Sequence, residues 1–324
     1  MSPQDIHVTT IGEALIDLTQ TGVDSRGNPI YVANPGGAPA NVAVAAARLG
    51  ARTAFIGCVG ADSFGAQLRQ VLVQSGVDVR GLSVHPHTPT TLAVVSVDGS
   101  GERSFSFYRK PGADICLSPE HVPQALPETT AILHFGSVSL TDEPACSTVM
   151  ETVRQAAAAG TLITYDPNYR AALWPDEETA RERIRMPLEY VDVLKISDEE
   201  TELLTGERDP AQASRLLMRK GIRLVLVTLG ARGVYYLYGY TEGVVEGFGV
   251  TVADTNGAGD TFFGAVLAKI GTREGILRRL SERELREILR FANCAAALTT
   301  SKPGAMPAMP TKDEVQTMLQ EMSE

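Results

Sequence analysis

The sequence DTNGAGD at residues 254–260 continues directly into TFFGAVLAKI at 261–270, a segment compatible with a helix. Gly257 and Gly259 allow the backbone to turn tightly, so that successive N–H groups converge where the helix begins. The partial positive charge of a helix N-terminus favours anions, and the pattern therefore predicts an anion hole for a phosphoryl group in transit. Asp260 falls in the first turn, placed to accept a proton from an incoming hydroxyl, and the helix end is expected to keep it ionised. The alternative is a glycine-rich loop in which Asp260 only complements the helix dipole.

Other phosphate-binding and hydrolytic motifs are missing from the sequence. No G-x-x-x-x-G-K-[ST] occurs, which argues against a P-loop kinase or ATPase, and no G-x-G-x-x-G follows the first predicted strand to bind a dinucleotide. The five histidines form no H-E-x-x-H or triad-like set, so hydrolase chemistry has no support. Phosphate chemistry in this chain therefore needs a different cradle.

Strand-like and helix-like segments alternate along most of the chain. Strands are predicted at 6–11, 53–59, 130–136, 161–166, 191–197 and 222–229, helices at 39–49, 143–159, 176–188 and 209–220, and a hairpin within 233–249. This alternation indicates an α/β fold with a mainly parallel sheet and helices on both faces. Segments 13–35 and 90–111 break the pattern and read as antiparallel strands, the second around a turn at Asp98-Gly99-Ser100-Gly101. We expect them to form a small β lid beyond the carboxyl ends of the parallel strands.

Composition bounds the class of protein. The chain has 324 residues, 44% of them hydrophobic, which suffices for a large core. A net charge of -10 disfavours binding to nucleic acid. The four cysteines show no metal-ligand or disulfide spacing, and neither a signal peptide nor a membrane span is evident. We expect a soluble, cytoplasmic enzyme that binds no membrane.

Residues 36–50, GGAPANVAVAAARLG, contain candidate ligands for a polar substrate. The pair Gly36 and Gly37 allows close approach of the backbone, and the Asn41 amide offers both a donor and an acceptor to vicinal hydroxyls. Asp17 is able to accept hydrogen bonds from two hydroxyls. From local sequence alone, Asn41 is equally well interpreted as a helix cap and Asp17 as a turn residue.

The two stretches GGAPANVAVAAARLG and DTNGAGDTFFGAVL resemble, in content and order, the signatures of the ribokinase-like (phosphofructokinase-B-type) carbohydrate kinases. The resemblance spans nearly the whole chain and implies one domain, 1–324, with a three-layer Rossmann-like α/β/α core and a small β-sheet lid. It implies that Asp260 is the catalytic base and that the backbone amides of Asn256, Gly257, Ala258, Gly259 and Asp260 form the anion hole. It also implies that the sugar is held by Asp17, Gly36, Gly37 and Asn41.

The same resemblance implies the nucleotide and metal sites. ATP is expected along the C-terminal half, with the nucleotide ligands Lys195, Thr228, Gly230, Gly233 and Asn293, the last close to the purine. The family commonly carries an N-x-x-E element for Mg²⁺; here Ser197 replaces the Asn, while Glu200 keeps the acidic position and is expected to act through water. A solvated acidic helix start is the alternative for Glu200. Asp254, Asn256 and Gly304 are implied as ligands of a K⁺ ion.

Three strings suggest the substrate. GGAPANV, YRKPGAD (108–114) and YDPNYRAALWPD (165–176) are similar to those of the fructokinase branch, so D-fructose, giving fructose 6-phosphate, is the first expectation. Arg109, Asn168 and Arg170 are the further substrate ligands, since Arg geometry permits multidentate hydrogen bonds. Trp174 is interpreted as a packing residue.

Several alternatives stay open at this point. The NYR string also occurs in 2-keto-3-deoxygluconate kinases, and other ribokinase-like sugar or nucleoside kinases are possible. A non-enzymatic sugar or nucleotide sensor is the alternative from another class, although a sensor has no need of Asp260. Related kinases often pair through an exposed β lid, and this implies a homodimer.

Overall fold

Nine strands form one large, mainly parallel sheet in the part of the chain that the computed structural model describes, residues 6–97, 103–125, 129–271, 277 and 280–322. In chain order the strands are β1 (Ile6–Ile11), β2 (Leu15–Val23), β3 (Pro29–Gly36), β4 (Thr53–Gly60), β5 (Val77–His85), β6 (Leu92–Val97), β7 (Arg103–Tyr108), β8 (Thr130–Gly136), β9 (Leu162–Asp166), β10 (Val193–Ser197), β11 (Leu224–Thr228), β12 (Val234–Tyr238) and β13 (Thr241–Val245). The large sheet has the order β13-β12-β11-β10-β9-β8-β1-β4-β5, and only β12 and β13 run antiparallel to their neighbours. The predicted α/β class is confirmed.

Helices cover both faces of this sheet. They are α1 (Ala38–Arg48), α2 (Ser63–Gln74), α3 (Ala145–Ala158), α4 (Glu177–Arg185), α5 (Glu200–Thr205), α6 (Pro210–Met218), α7 (Ala258–Gly271), α8 (Glu282–Thr300) and α9 (Lys312–Glu321). Adjacent residues of one strand point to opposite faces: Leu133 packs in the core with α3 to α6, and Ile132 in the core with α7 and α8. The sheet is therefore the middle of three layers.

A second sheet of four strands has the order β3-β2-β6-β7. Its strands fall in the two segments predicted to leave the parallel sheet, and the antiparallel pairs β2–β3 and β6–β7 are as expected. The pair β2–β6 is parallel, which a hairpin pattern does not predict. The turn predicted at 98–101 lies outside the described residues.

The predicted boundaries hold to within about three residues for most elements. Strands β1 and β8 match their predictions. The helix predicted at 176–188 ends earlier, at Arg185, because Pro187 follows and the chain continues as a 3₁₀ turn, Met186–Tyr190. The elements β5, α2, α8 and α9 lie outside the predicted segments. Among the described helices, none has both the length and the hydropathy that a bilayer crossing requires.

Helices α1 and α7 pack closely, and this contact positions the site. A methyl group at Gly264 of α7 would lie 2.7 Å from Cβ of Ala45 and 2.9 Å from the carbonyl oxygen of Val42, both on α1. Glycine therefore lets the two helix backbones approach. Their N-terminal turns come together beyond the carboxyl ends of the parallel strands, where ligands bind in open α/β sheets.

Candidate active site

The N-terminus of α7 presents backbone N–H groups that have no partner. Within the described residues, no hydrogen-bond acceptor contacts the N–H groups of Gly257, Gly259 or Asp260, and that of Ala258 makes only a long contact, 3.4 Å, to the Thr255 carbonyl. Gly257 has φ +74°, and a methyl group there would lie 2.9 Å from Cβ of Ala305. A helix N-terminus with free amides attracts anions, so this arrangement suits the anion hole that the sequence predicts.

Asp260 lies in the first turn of α7, as predicted, and is buried with 8% of its surface exposed. Its Oδ2 accepts a 2.8 Å hydrogen bond from Nδ2 of Asn41. Burial raises the pKa of this carboxyl above its ordinary value, and Lys195, the Asn41 hydrogen bond and Arg170 oppose the rise without cancelling it. A raised pKa makes the carboxylate a stronger proton acceptor.

Asp17 lies close enough to Asp260 for the charges of the two carboxyl groups to interact. Burial raises the pKa of Asp17 to about 7; Arg170 opposes the rise, and Asp260 and Asp254 add to it. A methyl group at Gly36 would lie 2.4 Å from Oδ2 of Asp17, so a side chain at this position would displace the Asp17 carboxylate. The interpretation of Asp17 as a turn residue is wrong, since it lies within strand β2, paired with Asn34 on β3.

Asn41 lies inside α1 and does not cap it. The N-cap is Gly37, with φ +101°, and the Asn41 amide points instead to Asp260. Its Oδ1 is buried without a hydrogen-bond partner. An unpartnered buried acceptor beside a carboxylate suits a site that receives a hydroxyl.

Arg109 is the clearest departure from the predicted set. It is 4% exposed, and its guanidinium donates to Asp114 (Nε–Oδ2 2.7 Å), to the Val138 carbonyl (3.0 Å) and to the Thr141 hydroxyl (2.5 Å). These contacts bind the guanidinium within the protein. The structure thus shows a buried ion pair at the end of β7 where the sequence suggested a substrate ligand.

Arg170, in contrast, is exposed, and its charge acts on both Asp17 and Asp260. Its Nη1 donates to the carbonyl oxygens of Asn168 (3.4 Å) and Tyr169 (3.1 Å). Asn168 adopts φ +48°, in a turn where its N–H donates to Asp166. The turn after β9 therefore carries Asn168 and Arg170 at the edge of the cleft.

Lys195 lies beside the anion hole. Its Nζ is 2.6 Å from Oδ2 of Asp166, and a methyl group at Gly259 would be 3.0 Å from Nζ. Burial lowers the pKa of Lys195, but the carboxylates of Asp166 and Glu200 outweigh it and hold the pKa above its ordinary value. A charged ammonium thus adjoins the free amides, and its positive charge adds to the attraction of this position for an anion.

The other predicted nucleotide ligands lie near the ends of β11 and β13. Thr228 ends β11, and Gly230 and Gly233, both with positive φ, form the turn that follows. The Asn293 amide nitrogen donates to the carbonyl oxygens of Val245 and Glu246, 2.9 Å each, so it is occupied within the protein. Asn293 therefore braces the backbone after β13 and does not offer this group to a purine.

The residues predicted for metal ions are brought close to the anion hole. Glu200 is 8% exposed and accepts from the N–H groups of Tyr169 (2.7 Å) and Ser197 (2.8 Å), which corrects its alternative reading as a solvated residue. Asp254 accepts from the N–H groups of Asn256 and Gly304, 3.1 Å each, and joins the two loops. The described residues contain no group of three or more His, Cys, Asp or Glu side chains arranged for a metal.

Sequence reasoning missed two buried carboxyl groups of the site, Glu13 and Asp166. Each lies at or just beyond the end of a predicted strand, Glu13 two residues after β1 and Asp166 at the end of β9. The carboxyl ends of parallel strands border the ligand cleft, so this position was a usable signal. Neither residue belongs to the two glycine-rich stretches that dominate the sequence pattern.

Comparisons with known proteins find relatives that match nearly the whole chain. The profile of the family described as "pfkB family carbohydrate kinase" matches residues 5–312. A curated relative, "Probable fructokinase-4" of Arabidopsis thaliana, is 42% identical over 315 residues, 96% of each chain. The crystal structure of a fructokinase with bound ATP from Xylella fastidiosa superposes with a TM-score of 0.91 at 36% identity, covering 98% of this chain and 99% of that one. A fructokinase from Vibrio cholerae O395 in a form with fructose, ADP and calcium gives 0.87 at 34% identity, covering 96% and 98%.

Proposed function

Because this chain belongs to the pfkB family of carbohydrate kinases, we propose that it transfers the γ-phosphoryl group of ATP to D-fructose, giving fructose 6-phosphate and ADP. The observation that carries the proposal is the pairing of free N–H groups at Gly257, Gly259 and Asp260 with the buried Asp260 carboxylate. The free N–H groups bind the phosphoryl group during transfer, and the Asp260 carboxylate takes up the proton of the attacking hydroxyl. A sensor would need neither.

The sugar lies between Asp17, the Gly36–Gly37 backbone and Asn41 in this proposal. The Asp17 carboxylate accepts from sugar hydroxyls, and the free Oδ1 of Asn41 accepts from another. Asn41 also contacts Asp260, and the reacting hydroxyl is therefore held next to the base. Arg170, at the cleft edge, is available to a further polar group of the substrate.

Transfer then follows from the positions of these groups. The hydroxyl oxygen attacks the γ-phosphorus in line, its proton passes to Asp260, and the bond to the β-phosphate oxygen breaks to release ADP. The free amides and Lys195 stabilise the charge that develops on the transferred group. We infer that the small sheet β3-β2-β6-β7, which carries Asp17, acts as a lid that excludes water over the bound sugar.

Magnesium and potassium belong to the proposal as well. Mg²⁺ keeps most of its water ligands and needs only one or two carboxylates besides the nucleotide phosphates, which fits the single buried carboxylate of Glu200 held by Tyr169 and Ser197. Bound Mg²⁺ would neutralise phosphate charge. Asp254, Asn256 and Gly304 meet at one point, and we propose K⁺ activation there. Equal phosphorylation rates in potassium buffer and in sodium-only buffer would refute the proposed activation by K⁺.

The proposal also includes dimerisation through the small sheet. Apolar side chains of the neighbouring strands β2 and β3 are exposed, namely Val23 (60%), Ile30 (46%) and Val32 (45%). We propose that they pair with a second copy of this chain. Light scattering on the eluting protein separates a dimer from the 34.6 kDa monomer.

The deciding experiment is a sugar panel with a coupled assay of ADP release and identification of the product. Fructose, ribose and 2-keto-3-deoxygluconate are compared at equal ATP. The proposal expects the highest kcat/KM with fructose and a 6-phosphate product. Preference for 2-keto-3-deoxygluconate would move Arg170 to the role of carboxylate ligand, and no turnover with any sugar would overturn the proposal.

A further inference from the structure

Glu13 is a buried carboxyl group in the short link between β1 and β2. It is 2% exposed, and its Oε1 accepts a 3.0 Å hydrogen bond from the N–H of Ala38, the first residue of α1. Its Oε2 is buried without a hydrogen-bond partner. Neither the proposed phosphoryl transfer nor the sequence motifs use this residue.

The start of α1 depends on this contact. The N-cap residue Gly37 has no side chain to accept from the first helical N–H groups, and Glu13, 25 residues before Ala38, supplies the missing acceptor. The backbones also touch: a methyl group at Gly37 would lie 2.5 Å from the Glu13 carbonyl oxygen and 2.9 Å from Cα of Ala14. The side chain of Glu13 therefore binds the start of α1, and the backbone of Glu13 packs against Gly37.

This contact joins the two segments that carry the proposed sugar ligands. Four residues after Glu13, strand β2 presents Asp17; three residues after Ala38, helix α1 presents Asn41. Gly36, which precedes the N-cap of α1, packs against the Asp17 carboxylate, so the two segments contact each other at this second point as well. Glu13 is therefore one of the contacts that fix the position of Asp17 relative to Asn41.

Stability alone does not account for a carboxyl group at this position. A buried carboxylate with one unpartnered oxygen is unfavourable, and the nearby Asp114 adds repulsion that Arg109 offsets only in part. Burial raises the pKa of Glu13 to about 7. Sites that violate the rules of polar satisfaction are commonly functional.

We propose that Glu13 is a positioning residue for the acceptor sugar, acting by holding Asp17 and Asn41 at the spacing that the sugar requires. The inference rests on the proposed function. Because Glu13 contacts neither the anion hole nor the predicted nucleotide ligands, its loss should weaken use of the sugar and spare that of ATP.

The test compares wild type with Glu13→Gln and Glu13→Ala by steady-state kinetics in fructose and, separately, in ATP. Gln keeps an oxygen that accepts from Ala38, and Ala removes it. We expect Glu13→Ala to lower kcat/KM for fructose by about tenfold or more, with KM for ATP within about twofold of wild type, and Glu13→Gln to recover most of the loss. Glu13→Asp, which keeps the charge but shortens the reach, should resemble Ala and serves if Ala fails to fold.

Asp209→Ala is the matched control, because Asp209 caps α6 by accepting from Gln212 N–H (2.9 Å) and α6 carries no predicted ligand. It should lower the melting temperature and leave both substrates unaffected. A folded Glu13→Ala with wild-type fructose kinetics, or with equal losses for fructose and ATP, would overturn the role of Glu13. A wild-type protein that turns over ATP with other sugars but not with fructose would instead overturn the proposed substrate.

Discussion

The side chains of Asn41 and Asp260, 219 residues apart, share a 2.8 Å hydrogen bond from Nδ2 to Oδ2. The bond joins the helix that follows the Gly36–Gly37 pair to the helix that follows the anion hole. Close packing of α1 on α7 at Gly264 makes this contact possible. In the proposed function, one amide therefore contacts both the catalytic base and the sugar.

Replacing Asn41 by Ala should change the pH dependence of catalysis. The Asn41 hydrogen bond lowers the pKa of Asp260, so its removal lets burial raise that pKa further. The acid limb of the kcat/KM profile for fructose should move to higher pH, and kcat/KM at neutral pH should fall by about tenfold or more. Rates measured from pH 5 to 9 test this. An acid limb at the wild-type pH would show that the bond does not tune the base.

Gly257→Ala should damage the anion hole. Its φ of +74° disfavours any side chain, and the new methyl group would lie 2.9 Å from Cβ of Ala305, so the free amides must shift. Loss of such donors typically costs about 10²- to 10³-fold in kcat. Gly160→Ala is the control, with φ +84° and no atom within 4 Å of the new methyl group. Equal kcat losses in the two variants would contradict the role of the loop.

Arg109→Met separates a structural role from a sugar-binding one. Removing the guanidinium leaves Asp114 buried without its ion-pair partner, which should lower the free energy of unfolding by about 3 to 5 kcal/mol. Urea unfolding measures this loss. Arg170→Met, at an exposed position, should change stability by less than about 0.5 kcal/mol and raise KM for the sugar. A stable Arg109→Met with a raised sugar KM would restore Arg109 as a ligand.

Stability should depend on pH through Glu13. Its pKa in the folded state, about 7, lies above the ordinary value of 4.5, so the folded protein binds the proton more tightly than the unfolded chain. The contribution to stability is complete below pH 4.5 and is lost as pH rises through 7. Glu13→Gln removes this dependence, and its stability relative to wild type should rise between pH 5 and 8 by at most about 3 kcal/mol. If the free energies of unfolding of wild type and Glu13→Gln change equally with pH across this range, the raised pKa assigned to Glu13 is wrong.

The sequence predicted those features of the structure that depend on a local pattern of residues. The anion-hole loop, the first-turn position of Asp260 and the alternation of strands and helices follow from glycine placement and periodicity over short segments. Strand β5 was missed because Arg80 and Gly81 interrupt its alternation and its pairing with β4 shifts register. The parallel pairing of β2 with β6 joins residues 76 positions apart, such as Ile16 and Leu92, which no local pattern encodes.

Burial and long-range contacts explain the other differences. Arg109 reads as a substrate ligand from its neighbours in the chain, but Asp114, Val138 and Thr141 occupy its guanidinium in the fold. The pKa of Asp260 depends on desolvation by packing that only the tertiary structure defines. For Asn41 the residue was identified and its partner was not, since Asp260 lies in a distant segment.

The most direct test of the account is the turnover number of Asp260→Asn with saturating ATP and fructose. Asn keeps the size and the contact with Asn41 but cannot take up the hydroxyl proton. We expect a fall in kcat of about 10²- to 10⁴-fold with a much smaller change in sugar affinity. A folded variant that retains more than about a third of wild-type turnover, a loss below about 1 kcal/mol, would contradict the assignment of Asp260 as the base.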